Sequence, residues 1–205
     1  ARASMTSVRL WGGTLVAMGS MILVDGSSTL NIDANASIRD GEITHELVWS
    51  GTEVQLSNRD GQLAGLIETR DKIIPKYLDQ LNELARTVVE QVNAIHETGY
   101  GLDGSTGVAF FDPAFTDASN IRVNQEITRD INRIAASQST DGDNLLSLAI
   151  SDLRNAEVTA NGSMTINDFY TSMVGSLGVE AREATSFTSN YELLSNQIDS
   201  QRQSV

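Results

Sequence analysis

The sequence predicts an α+β fold: an elongated antiparallel bundle of long helices with a small antiparallel β-rich subdomain. Between Ile74 and Ile95, apolar residues recur at alternating steps of four and three, the period of a helix that packs lengthwise against other helices. A second apolar stripe at helical spacing runs from Ile166 to Ile198. Residues 1–60 instead alternate apolar and polar side chains, which is typical of half-buried strands. We therefore expect a β-rich region over 1–60 and a long-helix bundle over 61–205.

The β-rich region is predicted from two runs with period two. Leu30 to Ile38 alternate apolar and polar side chains, and the next run places Ile43, His45, Leu47 and Trp49 on one face. Glycine-containing dipeptides separate the runs, and Asp-Gly suits type I′ hairpin turns. These predicted turns are Gly12-Gly13, Asp25-Gly26, Asp40-Gly41 and Ser50-Gly51. The pattern predicts a small antiparallel sheet or barrel before the helices, with His45 as a half-buried strand residue.

The long central helix is predicted to run from Pro75 to Thr98, a length of roughly 36 Å. Proline is tolerated in the first turn of a helix, and Gly99 stands where a C-terminal cap belongs. A shorter helix over 62–71 either runs into the long helix or bends at Pro75. The apolar seam of the long helix is predicted to serve packing and assembly, and it consists of Ile74, Leu78, Leu81, Ala85, Val88, Val92 and Ile95.

Short elements are predicted between the central helix and a second long helix. Residues 99–117 are expected to form a glycine-rich loop, Asn124 to cap a brief helix, and 144–154 to form another helix. The last helix is predicted from Ile166 past Arg202, roughly 55 Å, with Thr165 and Asp168 as a capping box. Its packing stripe includes Phe169, Met173, Leu177, Phe187, Tyr191, Leu194 and Ile198.

Two glycines lie inside this last helix. Gly175 and Gly178 each cost a helix about 1 kcal/mol relative to alanine. They favour either the close crossing of a neighbouring helix or a bend. Because two long helices are separated by a region of short ones, an antiparallel bundle is the expected arrangement.

Composition excludes several classes of partner and site. The formal net charge is −13 at pH 7, so the acidic surface would repel nucleic acid and anionic membranes. The chain has no cysteine, which excludes disulfides and cysteine zinc sites. No apolar run approaches the roughly 20 residues that span a bilayer, and no signal peptide is visible. Because the first methionine is Met5 and the helical pattern still continues at Val205, we expect the chain to be cut at both ends.

A glycine motif after the central helix matches a nucleotide-binding pattern in spacing alone. Gly99, Gly101 and Gly104 fit G-x-G-x-x-G, but that site requires a preceding strand and a following helix. Here a predicted helix precedes the motif and a loop follows it. A helix cap with a turn is therefore the favoured interpretation, and no cofactor is expected.

The candidate catalytic and metal-binding residues also favour structural roles. His45 and the glutamate after it begin like a zinc-protease helix, but Trp49 occupies the position of the second histidine. His96 lies in the last turn of the central helix, where its positive form would interact favourably with the helix dipole. Asp141 and Asp143 do not complete the calcium-loop pattern. No catalytic residue and no metal site is predicted.

Several blocks of residues, taken in order, resemble one protein family. Gly61 to Arg70 gives Gly-x-Leu-x-Gly-Leu-x-x-x-Arg, and Leu81 to Ala85 gives Leu-x-x-Leu-Ala. The run from Asn93 to Gly99 gives Asn-x-x-His-x-x-Gly, and an Asp-Gly turn and paired phenylalanines follow at 103–104 and 110–111. Together these blocks resemble the flagellar hook-associated protein 1 family, the hook–filament junction proteins. Segments 121–124, 134–137, 142–144 and 168–170 extend the resemblance over nearly the whole chain.

The resemblance implies an extracellular, non-enzymatic structural subunit of the bacterial flagellum that joins hook to filament. Such a subunit is exported unfolded through the type III flagellar export channel, without a cleaved signal peptide. Its implied partners are neighbouring copies of itself, the hook protein, the next junction protein and an export chaperone at the C-terminal end. The terminal helices that form the family's inner coiled coil would lie outside this chain.

Two alternatives stay open on the residues alone. A related secreted axial protein (flagellin-like or hook-like) or an adhesive binding module would use the β-rich region and the loop over 99–117 for its contacts. An enzyme would need a catalytic site, for which the loop with Asp141 and Asp143 is the nearest candidate.

Overall fold

The computed structural model describes residues 5–10, 13–18, 21–25, 27–39, 42–52, 54–55, 61–139 and 142–204. The chain divides into two compact units, Ala1–Pro75 and Lys76–Val205. Antiparallel strand pairs and α-helices are both present, which confirms the α+β class. Five residues of predicted turns and loops lie outside the described residues, namely Gly12, Gly26, Asp40, Gly41 and Asp141.

The strands of the first unit form two antiparallel sheets. In the first sheet the spatial order is the chain order: β1 (Met5–Leu10), β2 (Gly13–Met18), β3 (Met21–Asp25) and β4 (Ser28–Thr29). In the second sheet, β5 (Ile32–Arg39) pairs with β6 (Glu42–Trp49). The strands expected from the alternating pattern are therefore present.

Burial at the end of β6 does not follow the predicted alternation. Val48 and Trp49 are both buried, although neighbouring side chains on a strand point to opposite faces. The chain turns back here, because the Trp49 amide donates to the Val54 carbonyl at 3.0 Å. The half-buried position predicted for His45 is wrong. Its side chain is exposed, since its cross-strand partner Ala36 is small and itself exposed.

The helices that follow form one continuous helical run. α1 (Gly61–Glu68) passes into a π-helical turn (Thr69–Ile73), which passes into α2 (Ile74–His96). Of the two alternatives for the shorter helix, the structure shows the one in which it runs into the long helix. α2 ends two residues earlier than Thr98, because the chain turns from Glu97 to Gly99.

Short elements follow α2 in the second unit. They are α3 (Gln125–Arg129), a 3₁₀ turn (Ile131–Arg133), α4 (Leu145–Asp152), a second 3₁₀ turn (Leu153–Asn155) and the hairpin of β7 (Glu157–Thr159) with β8 (Met164–Thr165). The Asn124 side chain caps α3 by accepting from the Glu126 amide at 3.0 Å, as predicted. The buried apolar residues of this unit are Val89, Ala109, Ile127, Ala135, Leu146 and Met173.

The last helix, α5 (Ile166–Gln203), has 38 residues. Thr165 caps it by accepting from the Asp168 amide at 3.1 Å, and the Thr165 hydroxyl donates to the Asp168 carboxylate at 2.8 Å. The Asp168 side chain thus bonds the hydroxyl of the capping residue, Thr165. The longer glutamate of the usual capping box would instead reach the backbone amide of the capping residue. Neither α5 nor any other helix among the described residues is long and apolar enough to cross a membrane.

Candidate functional site

The C-terminal end of α2 carries two buried polar side chains, Asn93 and His96. The Asn93 amide nitrogen donates to the Phe111 carbonyl at 3.0 Å, and its carbonyl oxygen accepts from the Phe111 amide at 2.8 Å. Asn93 therefore pairs with both main-chain groups of one residue, Phe111, as a neighbouring strand would. Both polar ends of the buried amide are satisfied, so its burial costs little and it fixes the loop to the helix.

His96 connects α2 to two further segments. The ring is 1 % exposed; its Nδ1 lies 2.7 Å from the Val108 carbonyl oxygen, and the Ala135 amide donates to Nε2 at 2.9 Å. Because a carbonyl only accepts and an amide N–H only donates, the partners assign a neutral ring with its hydrogen on Nδ1. The Phe110 ring packs edge-on against it with 5.4 Å between centroids.

These two side chains and the backbone groups they hold form what we call the α2 clamp. Its members are Asn93, His96, Val108, Phe111 and Ala135. The helix-dipole role expected of a positive His96 does not hold. A protonated Nε2 has no lone pair with which to accept the Ala135 amide.

The glycines after α2 serve close packing in the same region. A Cβ on Gly99 would collide with the Leu146 side chain and lie 2.9 Å from the Ser137 carbonyl oxygen. On Gly101 it would lie 2.6 Å from the Asn132 carbonyl oxygen. Gly104 has φ +79°, a conformation that glycine adopts without strain. The spacing G-x-G-x-x-G is thus explained by close packing and one turn. The turn at Gly104 agrees with the favoured interpretation, whereas Gly99 has no positive φ and is required by packing rather than by a helix cap.

An open apolar cavity of about 390 Å³ lies beside the clamp. Side chains from α2, from the loops on either side of α3 and from α4 line it. The lining residues are Val88, Val92, His96, Phe110, Phe111, Ile134, Ala135, Ser147 and Ile150. His96, Phe111 and Ala135 belong to both features, so the clamp holds part of the cavity wall in place.

The predicted seam is not the most buried face of α2. Ile74 and Leu78 are 50 % and 51 % exposed, and the remaining seam residues are half-buried. The fully buried residues of α2 are instead Val89, Asn93 and His96. Viewed along the helix axis, they lie roughly 80–140° away from the seam residue Val88, since successive residues are rotated by about 100°. The seam therefore keeps an accessible apolar strip along α2.

The predicted stripe on α5 is covered only at its beginning. Met173 is buried and Phe169 is half-buried, but the later members are exposed. Their exposed fractions are 48 % for Leu177, 61 % for Phe187, 67 % for Tyr191, 54 % for Leu194 and 55 % for Ile198. Around Gly175 and Gly178, apart from the adjacent residues and nearby backbone of α5 itself, no described atom lies within 4 Å of a Cβ built on either residue. The close helix crossing expected there is absent from the described part of the chain.

Polar contacts connect the first half of α2 to the segment that contains α5. Glu180 accepts from the Lys76 ammonium, with which it forms an ion pair, and from the Tyr77 hydroxyl at 3.1 Å. The Lys76 and Tyr77 hydrogen bonds hold the pKa of the Glu180 carboxyl below its ordinary value. Further along α2, Glu83 accepts from the Ala160 amide at 3.3 Å. These contacts occur in opposite order along the two segments, as in an antiparallel pair.

The aspartate loop before α4 is held by its own backbone. Asp143 accepts from the amides of Leu145 at 2.9 Å and Gln138 at 3.1 Å, and from the Ser139 hydroxyl at 3.0 Å. The pKa of the Asp143 carboxyl lies below its ordinary value. The hydrogen bond from the Leu145 amide is the largest cause, and the bond from the Gln138 amide is the next. Among the described residues, no three acidic, histidine or cysteine side chains gather as a metal site.

The fold therefore defines a scaffold with interlocked loops and long, partly uncovered helices. Residues 6–111 match the family described as the helical domain of the flagellar hook-associated protein FlgK. Since this match spans just over half of the sequence, the chain belongs to the FlgK family of flagellar hook-associated proteins. The predicted family is thus confirmed, and it is a family of structural, extracellular flagellar proteins.

One curated relative extends the comparison. The chain is 29 % identical over 164 residues to "Flagellar hook-associated protein 1" of Bacillus subtilis (strain 168). The alignment covers 71 % of this chain and 32 % of the relative, so the chain spans about a third of the relative's length. The family match at 6–111 includes Asn93, His96, Gly99 and two of the three clamped loop residues, Val108 and Phe111.

Proposed function

We propose that this chain is part of the structural subunit that joins the flagellar hook to the filament. Membership of the FlgK family carries the proposal, and the name of the Bacillus subtilis relative, flagellar hook-associated protein 1, supports it. The chain acts through packing surfaces and performs no catalysis. Its working features are then the clamp that keeps the end of α2 rigid and the apolar strips that α2 and α5 leave accessible.

The long helices form an elongated antiparallel bundle within a domain over 61–205, preceded by a β-rich region over 1–60. The contacts of Glu180 with Lys76 and Tyr77, together with that of Glu83 with Ala160, support an antiparallel course for α2 and α5. The bundle is completed by further helices that cover the uncovered strips. This explains why apolar side chains as large as Phe187 and Tyr191 are exposed here.

The seam of α2 and the stripe of α5 are the packing and assembly residues of the subunit. Both have helical spacing, and both are partly uncovered. Since the alignment covers 32 % of the relative, a full-length family member has further segments that can supply the missing helices. Coiled-coil packing on these strips buries the apolar side chains and aligns the subunit along the axis of the assembly.

In the assembled flagellum the partners are neighbouring copies, the hook protein and the next junction protein. An export chaperone binds the C-terminal end of the subunit before assembly. Export proceeds unfolded through the flagellar channel, without a cleaved signal peptide. The absence of cysteine is compatible with that route, because no disulfide forms before or after passage.

Leu78 provides the sharpest test of this function. It is a seam residue that is 51 % exposed, so Leu78→Asp leaves the chain folded while placing a charge on the proposed packing strip. We expect full-length protein with Leu78→Asp to leave hooks intact but bare of filaments in electron micrographs, with motility lost. Asp79→Ser, on the exposed face one residue away, should leave cells motile. Normal filaments on Leu78→Asp cells would contradict the proposal.

A further inference from the structure

Among the described residues that line the apolar cavity, His96 alone carries a titratable side chain. Its ring is buried and neutral in the α2 clamp: Nδ1–H donates to the Val108 carbonyl, and Nε2 accepts from the Ala135 amide. A second proton can be added to the ring only at Nε2, which is the atom that holds Ala135. We propose that the α2 clamp is an acid-sensitive latch: a proton taken up at His96 Nε2 releases Ala135 while Val108 stays bound.

Protonation of the ring breaks one side of the clamp and keeps the other. A protonated Nε2 and the Ala135 amide are both hydrogen donors, so the bond of 2.9 Å between them is lost. Nδ1 keeps its hydrogen, and a charged donor binds a carbonyl more strongly than a neutral donor does. The contact of 2.7 Å with the Val108 carbonyl therefore persists. The loop that contains Val108 stays on α2, and only the segment around Ala135 is freed.

The freed segment is short, because main-chain bonds hold it on both sides of Ala135. These bonds run from the Asp103 amide to the Asn132 carbonyl at 3.3 Å, from the Ile134 amide to the Ile131 carbonyl at 3.1 Å, from the Ser147 amide to the Ala136 carbonyl at 3.4 Å, and from the Tyr100 amide to the Ser137 carbonyl at 2.9 Å. Amide and carbonyl groups take up no proton in mild acid, so these bonds remain. Since Ala135 lines the cavity, its release loosens that part of the cavity wall while α2 stays folded.

The charged groups around the clamp give a protonated ring no counter-ion. Among the described residues, no carboxylate forms a hydrogen bond or an ion pair with His96. On the elements that pack around the ring, the nearest charged side chains are the exposed Glu97 after α2, Asp112 bound to Arg122, Arg133 bound to Glu126 and Asp103, Asp143 bound to amides of its own loop, and the exposed Asp152 at the end of α4. A charge on the closed ring would be buried and unpaired, so the proton is taken up as the Ala135 side opens to water.

The direction of the pH effect follows from the number of bound protons. In mild acid the opened clamp binds one proton more than the closed clamp, and a histidine in water takes up that proton at about pH 6.5. The equilibrium constant for opening therefore rises as the pH falls, by about tenfold between about pH 7.5 and about pH 5.5. Because the family is extracellular, the latch responds to the pH of the surrounding medium.

Amide hydrogen exchange of the whole chain, followed by NMR, tests the latch with two amides of the same clamp. The Ala135 amide is held by His96, whereas the Phe111 amide is held by Asn93, which does not titrate. After correction for the intrinsic effect of pH on exchange, we expect the protection of the Ala135 amide to fall by about tenfold between about pH 7.5 and about pH 5.5. The protection of the Phe111 amide should stay unchanged.

Two substitutions assign the effect to the His96 ring. His96→Gln keeps a donor and an acceptor but takes up no proton, so it should abolish the fall at Ala135. His45→Gln, at the exposed histidine of β6, should leave the fall unchanged.

Unchanged protection of Ala135 at the lower pH overturns the latch, and so does an equal fall at Ala135 and Phe111. A fall at Ala135 that persists in folded His96→Gln also overturns it. If His96→Gln does not fold, the comparison of the two amides in the unsubstituted chain still decides the outcome.

Discussion

Asn93 and His96 show how single polar residues can organise a loop-rich region. Each uses both of its polar ends on backbone groups, and these groups lie 12 to 39 residues away in the chain. A buried side chain that satisfies backbone donors and acceptors specifies one loop conformation, because any other leaves an unpaired polar group. The clamp is therefore a determinant of local structure, and the family resemblance at Asn-x-x-His-x-x-Gly has a physical basis.

Removing the His96 ring should destabilise the fold strongly. His96→Ala leaves the Val108 carbonyl and the Ala135 amide without their partner and opens a cavity beside Phe110. We expect a loss of at least about 2 kcal/mol in the free energy of unfolding, measured with denaturant. His45→Ala is the matched control on an exposed histidine and should change stability by less than about 0.5 kcal/mol. Equal losses of stability from the two substitutions would contradict the claim that the α2 clamp stabilises the fold.

The sequence could not have revealed the clamp as a core feature. Polar residues next to an apolar seam predict a solvated face, and both His96 partners are backbone groups, which have no side-chain signature. The apolar period did locate α2 to within about two residues. It did not identify the buried face, because burial on α2 depends on loops that pack through Asn93 and His96 rather than through the seam.

At the scale of whole elements, the glycines of the second unit have opposite roles. Gly99 is forced by the approach of Leu146 and Ser137, whereas Gly175 faces open space within α5. The sequence predicted that glycines in α5 mark a close crossing or a bend. Helical spacing alone cannot separate a glycine needed for packing from one that only lowers helix stability.

A pair of substitutions tests this contrast. Gly175→Ala should raise the free energy of unfolding by up to about 1 kcal/mol, because alanine favours the helix and meets no neighbour. Gly99→Ala should lower it by about 1–3 kcal/mol, since the added methyl forces Leu146 or the Ser137 backbone to move. Thermal unfolding by circular dichroism measures both. A stabilising Gly99→Ala would show that the end of α2 packs less tightly than described.

For the whole molecule, the class and the family were accessible from the sequence. Strand and helix periods gave the α+β class, and ordered blocks from Gly61 to Phe111 gave the family. Which partner covers the apolar strips of α2 and α5 could not be predicted from the sequence. Periodicity shows that a side chain belongs on a packing face, but the partner that covers this face is a property of the full-length subunit and its assembly. Leu78 and Phe187 are exposed for this reason in the proposed account.

Thiol labelling at the seam tests most directly whether the α2 strip is a packing surface in the flagellum. The chain has no cysteine, so a single Leu78→Cys or Asp79→Cys substitution introduces a unique thiol in this segment. In the isolated chain both positions are exposed and should react with maleimide at similar rates. In full-length protein within assembled flagella, we expect position 78 to react at least about tenfold more slowly than position 79. Equally fast reaction at both positions in assembled flagella would contradict the central claim.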